Sequence, residues 1–161
     1  MDIEKIRQHM LNSIHQTLAI YQNLVNTLDQ QTATTLRDQN DAPHGWTILE
    51  VLCHVRDFDV IFYDRAVMIR DQHNPQLPAY DHEQMAIDRQ YNQQNLRQVM
   101  VDLQQSRQQF VAFFNALSPQ QWERAGIHPE KGHFSLMDAL MQVCSHDLTH
   151  LEQITRILAG H

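Results

Sequence analysis

Eleven histidines in a chain of 161 residues invite a search for ligand chemistry. Chance alone places about 0.7 histidine pairs at i, i+4 in such a chain, so spacing by itself is weak evidence of a site. One such pair exists, His146 and His150 in His146-Asp147-Leu148-Thr149-His150. On a helix the two rings share a face. Val143 and Ile154 lie on the same stripe, so both imidazoles turn toward the interior. Buried imidazoles need partners. A metal ion is one solution, because neutral imidazole is its commonest ligand. Hydrogen bonds to carboxylates or waters are the other.

A third histidine adds weight. His54 lies one turn from Val51 and one turn from Phe58, so it also faces inward. It sits roughly 10 Å into its helix, and His150 roughly 14 Å before the end of its own, at 1.5 Å per residue. Antiparallel packing brings the three rings to nearly one level, whereas parallel packing separates the levels by about 9 Å. A shared site therefore predicts antiparallel packing of these helices. Three histidines leave at least one coordination position open, the pattern of catalytic rather than structural zinc sites. Cys53 is about 100° around the helix from His54 and makes a poor fourth ligand. Asp57 and Asp147 either orient ring N–H groups from behind or act as solvated or capping carboxylates. His9, His15, His73 and His82 read as solvated. His44, His128 and His133 fall in loops, where they can rim a pocket mouth.

The elements that must position these residues follow from the breakers. All glycines and prolines fall in four places: Pro43 with Gly45, Pro75 with Pro78, Pro119 through Gly132, and Gly160. The four windows between them carry apolar residues at steps of three and four, the helical period. Helices are expected at about 2–29, 47–72, 91–117 and 135–158. Thr47 with Glu50 and Ser135 with Asp138 form capping boxes. Ser118-Pro119-Gln120-Gln121 starts a short extra turn. No alternating strand pattern stands out. The expected fold is all-α, one four-helix-bundle domain over residues 1–161, with long connections and helices two and four antiparallel.

Composition agrees and excludes. Hydrophobic residues make up 42% and charged residues 19%, enough to bury a core. A net charge of −7 argues against nucleic acid or an anionic membrane as partner. Cys53 and Cys144 cannot make a disulfide framework and read as buried thiols of a reducing, cytoplasmic compartment. The start Met1-Asp2-Ile3-Glu4-Lys5 has no signal-peptide character, and no apolar run reaches the length of a membrane span.

The run Gly45-Trp46-Thr47-Ile48-Leu49-Glu50-Val51-Leu52-Cys53-His54-Val55-Arg56-Asp57 resembles the second-helix motif of the DinB/YfiT-like metalloenzymes. Leu77-Pro78-Ala79-Tyr80-Asp81, Leu117-Ser118-Pro119 with Trp122, and His128-Pro129-Glu130-Lys131-Gly132 follow in that family's order. So do Ser135-Leu136 and His146-Asp147-Leu148-Thr149-His150 with Gln153. The resemblance implies a four-helix bundle, a homodimer, and a divalent metal, often nickel or zinc, held by His54, His146 and His150. It implies a small-molecule substrate and, in some relatives, transfer of a low-molecular-weight thiol to an electrophile. Hydrolysis is the other chemistry open to such a metal. A non-catalytic metal- or small-molecule-binding stress protein is the alternative from another class. For the homodimer the residues add only Met68 and Val111, which sit off the main stripes and read as exposed.

Overall fold

The computed structural model describes residues 2–40 and 45–160. Four long helices form the bundle: α1 (Ile3–Thr27), α3 (Ile48–Asp71), α5 (Leu96–Asn115) and α7 (Leu136–Leu158). Short helices α2 (Gln30–Thr35), α4 (His82–Asp88) and α6 (Pro119–Trp122) lie in the connections. The expected ends of the first, second and fourth helices hold to within two residues. The capping boxes explain why: Thr47 and Glu50 close the start of α3, and Ser135 and Asp138 that of α7. Ser118 with Gln121 does the same for α6. Each box satisfies backbone N–H groups that a helix start leaves without partners.

The third helix begins later than expected. Tyr91–Gln93 form a separate 3-10 turn, Gln90 has φ 48°, and Asn95 caps α5 afresh. Tyr91 stands five residues before Leu96, off the step of three and four that the stripe keeps, and does not belong to the helix. A second departure is a hairpin, β1 (Ala125–His128) paired antiparallel with β2 (Gly132–Ser135). Gly132 supplies its left-handed residue, φ 71°. Four-residue strands with two inward positions in β1 and one in β2 hold too little alternation to be read from sequence.

Side-chain contacts fix the direction of every long helix. Met10 faces Cys144, and Thr17 and Tyr21 face Asp147, so α1 and α7 run parallel. Arg56 meets Asp102, Asp59 meets Arg107, and Tyr63 meets Phe113, so α3 and α5 are parallel too. Ile14 with Arg107 and Val25 with Arg97 set α1 against α5. His54 touches both His146 and His150, while Phe62 reaches His146, so α3 and α7 are antiparallel as expected. The topology is up-down-down-up.

That topology explains the long connection from α3 to α5. A chain leaving the end of α3 must return along the whole bundle before α5 can start parallel to it. The 24 residues of α3 cover about 36 Å, and residues 72–81, at about 3.3 Å each when extended, reach roughly 33 Å. Their backbone is bridged to β1: the Leu77 N–H donates to Ile127 O, and the Ile127 N–H to Pro75 O. Arg65 of α3 donates from Nη2 to Pro78 O at 2.6 Å and from Nη1 to His128 Nε2 at 3.0 Å. This strap delivers α4 back to the end of the bundle that holds His54.

The core falls into two clusters, one around Tyr21, Leu52, Leu103 and Ile154, the other around Phe62, Phe110, Phe114 and Leu140. Between them lies a buried charge group. Arg107 donates from Nε to Asp59 Oδ1 at 2.9 Å, from Nη1 to Asp147 Oδ2 at 2.6 Å, and from Nη2 to Asp147 Oδ1 at 3.0 Å. Ser106 adds a bond to Asp59, and Thr17 one to Asp147. Val111 is buried in the second cluster and Met68 packs against it. The reading of both as exposed is therefore corrected. Both pack into the second cluster from outside their helix's main stripe, which the stripe of a single helix does not reveal.

Candidate metal centre

Each histidine of the cluster is placed by helix register. His54 lies two turns into α3, and His146 and His150 stand one turn apart on α7. One ring nitrogen from each lies within 4.8 Å of the other two. His54 Nε2 and His146 Nε2 are 2.9 Å apart. Two ring nitrogens at that distance cannot both present lone pairs; a proton or a cation has to lie between them. His150 Nδ1 pairs with Gln153 Oε1 at 2.9 Å, which leaves its Nε2 for the cluster. Three nitrogens at 2.0–2.1 Å from one zinc ion are about 3.3 Å from each other. The observed spacings, 2.9 Å for one pair and within 4.8 Å for all, bracket that value, so the donor set fits a divalent ion.

The rings are also in the right charge state. Burial pushes the His54 pKa down to about 2, with His150 and His82 adding to the fall. His146 is lowered by burial and by both neighbouring histidines. His150 is lowered by burial, which outweighs the opposing bond from Gln153. Neutral imidazole is the form that binds metal. His54 Nδ1 is buried without a hydrogen-bond partner among the described residues.

The groups behind the rings differ from the sequence reading. Asp57 turns away from His54 and accepts from Arg56, Arg89 and the Tyr91 hydroxyl. Asp147 is occupied by Arg107 and Thr17. Neither touches a cluster ring. Ring orientation instead comes through a chain on the other side: Gln153 Nε2 donates to Asp38 Oδ2 at 2.9 Å, and Arg156 pairs with Asp38. Gln153, named in the sequence only as part of the His146–His150 motif, is three residues after His150, the i, i+3 spacing that puts the two side chains on one face. Asp38 lies too far away in sequence for any such signal. Cys53 points at Tyr91 O, away from the cluster, and burial raises its thiol to about 12.

A pocket of about 440 Å³ opens beside the cluster. Trp46, Phe58, Phe62 and Gln142 form its walls, and His82 and Glu83 stand at its edge. His82, read as solvated, is exposed as expected, yet its ring centroid is 5.9 Å from that of His54. The strap of residues 72–81 brings it there, and no local pattern records that. His9, His15 and His73 are exposed and line no part of this pocket. His128 is buried against Arg65 in the hairpin, and His133 is exposed on β2. Neither rims this pocket, because the hairpin packs at the start of α7, beyond Phe62. His44, the third loop histidine, and Pro43 lie outside the described residues. Gly45 has no room for a side chain: an added Cβ would stand 2.1 Å from Asp38 O.

No helix among the described residues is long and apolar enough to cross a membrane. Comparison with known proteins points one way. Two Oceanobacillus iheyensis proteins, both named "Putative metal-dependent hydrolase", are 22% and 26% identical to this chain. The alignments cover 94% and 91% of this chain and 88% and 83% of theirs. The structure of YfiT from Bacillus subtilis, described as a probable metal-dependent hydrolase with an unusual four-helix bundle topology, superposes with a TM-score of 0.86 at 20% identity. That match covers 98% of this chain and 87% of YfiT. A mycothiol-dependent maleylpyruvate isomerase shares the fold at a TM-score of 0.75 and 10% identity, over 92% of this chain and 60% of its own. The sequence profile of the DinB superfamily matches residues 14–154, a span that includes all three cluster histidines, and the chain belongs to that superfamily.

Proposed function

We propose that this protein is a metal-dependent enzyme in which His54, His146 and His150 hold one divalent ion, nickel or zinc, and the adjoining pocket takes a small-molecule substrate. The observation that carries the reading is the convergence of three neutral imidazoles at the floor of an open pocket. A bound divalent ion with an open position acidifies a water or thiol at neutral pH. The chain's own residues do the rest. Gln153 and Asp38 hold the His150 ring in the tautomer that turns Nε2 inward. Phe58 and Phe62 exclude water from one wall, and Trp46 narrows the mouth.

Hydrolysis is the first reaction to test, because the relatives matched along their length carry that name. Thiol transfer is the second, supported by the fold shared with a mycothiol-dependent enzyme. The reading also takes the protein as cytoplasmic and homodimeric. Ile20 and Leu148 are 47% and 59% exposed on the α1–α7 face, and a two-fold axis through that face would cover them with their own copies.

The test is metal analysis and thermal unfolding of untagged protein. Metal at a hundredfold excess over Kd stabilises the native state by about 2.7 kcal/mol, which raises Tm by about 5–11 °C for a chain of this size. His150→Ala removes most of that rise, and His15→Ala leaves it. Equal shifts in wild type and His150→Ala place the ion elsewhere and end the reading. A panel of thiols and hydrolysable esters and amides then separates the two reactions, and light scattering decides the dimer.

A further inference from the structure

The pocket is chemically uneven along its length. On α3, His54, Phe58 and Phe62 stand about one turn apart, with ring centroids separated by 4.3 and 5.7 Å. They make an aromatic wall along about 12 Å of helix. Trp46 continues that wall to the mouth, 4.9 Å from His54. There its Nε1–H donates to Glu83 Oε2 at 3.2 Å. Glu83 is the one carboxylate among the described lining residues, and none of them is a lysine or arginine. The chain as a whole carries −7.

A carboxylate at the N–H edge of an indole, with no lysine or arginine lining the pocket and His82 Nε2 3.6 Å away, attracts an ammonium group and repels a carboxylate or phosphate. We propose that the pocket selects a small amine: an apolar or aromatic body lying along Phe58 and Phe62, and a cationic nitrogen at the mouth against Trp46 and Glu83. Trp46 and Glu83 are then the specificity-determining residues. The proposal rests on reading this pocket as the reaction site, and it adds the charge class of the substrate. A divalent ion held by the three histidines would favour an electron-rich group at the floor, and the mouth favours the opposite sign. The substrate is therefore polarised end to end.

Three benzohydroxamates test this on zinc-loaded protein, because they share one metal-binding group and differ in the para substituent. The 4-aminomethyl compound should bind about threefold to tenfold more tightly than the unsubstituted one, a modest gain because Glu83 is solvent-exposed. The 4-carboxy compound should bind at least tenfold more weakly than the amine. Glu83→Gln should bring the amine to the affinity of the unsubstituted compound without changing zinc affinity. A second arm needs no metal. Benzylamine should move the Trp46 indole N–H resonance of metal-free protein, and benzoate should not. Failure to bind zinc would end the metal reading while leaving this arm to decide the amine preference. Equal or tighter binding of the carboxylate compounds, or an amine preference that survives Glu83→Gln, overturns the proposal.

Discussion

Replacing Arg107 with methionine should be among the most damaging single changes in this protein. The side chain is about 1% exposed and donates three bonds of 2.6–3.0 Å to two carboxylates that are equally buried. Burial alone would lower the guanidinium pKa, but Asp59 and Asp147 hold it above its ordinary value. Without the cation, Asp59 keeps one hydroxyl donor, Ser106, and Asp147 keeps Thr17. Breaking a buried ion pair on one side costs about 3–5 kcal/mol, and here two carboxylates lose their partner together. At about 2–4 °C per kcal/mol for a domain of this size, Tm falls by about 6–20 °C. Asp59→Asn should behave differently. Burial raises the Asp59 pKa despite Arg107 beside it. A raised folded pKa means a stability contribution that is complete at low pH and lost as pH rises through that value. Charging Asp59 is therefore less favourable in the fold than in the unfolded chain, and its isosteric amide should cost about 1 kcal/mol or less, because the amide oxygen still accepts from Arg107. Thermal and urea unfolding followed by circular dichroism, at pH 7.5 and without metal, compares the two. If Arg107→Met costs no more than Asp59→Asn, the charge group is not what joins the two core clusters.

Other outcomes are expected. Gln153→Ala should weaken metal binding by about tenfold to a hundredfold in calorimetric titration, because the His150 ring loses its orienting partner; unchanged affinity would show that the chain through Asp38 is only structural. The lowered pKa values of His54, His146 and His150 mean that unfolded chains take up protons below about pH 6.5 while the native rings do not. Metal-free stability should accordingly decline as pH falls from 6.5, by at most about 1.4 kcal/mol per unit per ring; replacing His54 with glutamine should flatten that slope, and an unaltered slope would contradict the burial assigned to the ring. Gly45→Ala should cost about 2 kcal/mol or more, since its Cβ meets backbone at Asp38 O rather than a movable side chain; a Tm within a degree of wild type would refute that contact.

Much of this architecture is legible in the sequence because its signals are local. The stripes from Ile6 through Val25 and from Val51 through Phe62 repeat at the helical period, and each capping box spans only four residues. The histidine triad is legible for the same reason: His146 and His150 share a face, and level-matching with His54 needs only helix geometry. What sequence hid is set by topology. His82 and Glu83 belong to an exposed, unremarkable stretch until a long crossover carries them back to the pocket. Asp38 reaches Gln153 across 115 positions. The carboxylates beside the cluster histidines, Asp57 and Asp147, pointed to ring orientation by proximity in sequence, yet helix rotation commits them to Arg89 and Arg107.

The up-down-down-up order also sets the sequence of events during synthesis. Two of the three cluster histidines, and one of the two carboxylates that neutralise Arg107, sit on α7. This helix leaves the ribosome after the other three. Neighbours α3 and α5 are parallel, so no early hairpin of long helices can close on its own, and the first three helices have an empty corner between α1 and α3 until α7 fills it. A nascent chain therefore offers a metal ion only the lone His54 of the triad and holds Arg107 half-compensated. Under the proposed function, metal selection would fall to the finished bundle, where geometry rather than the order in which ions are encountered decides which one is retained.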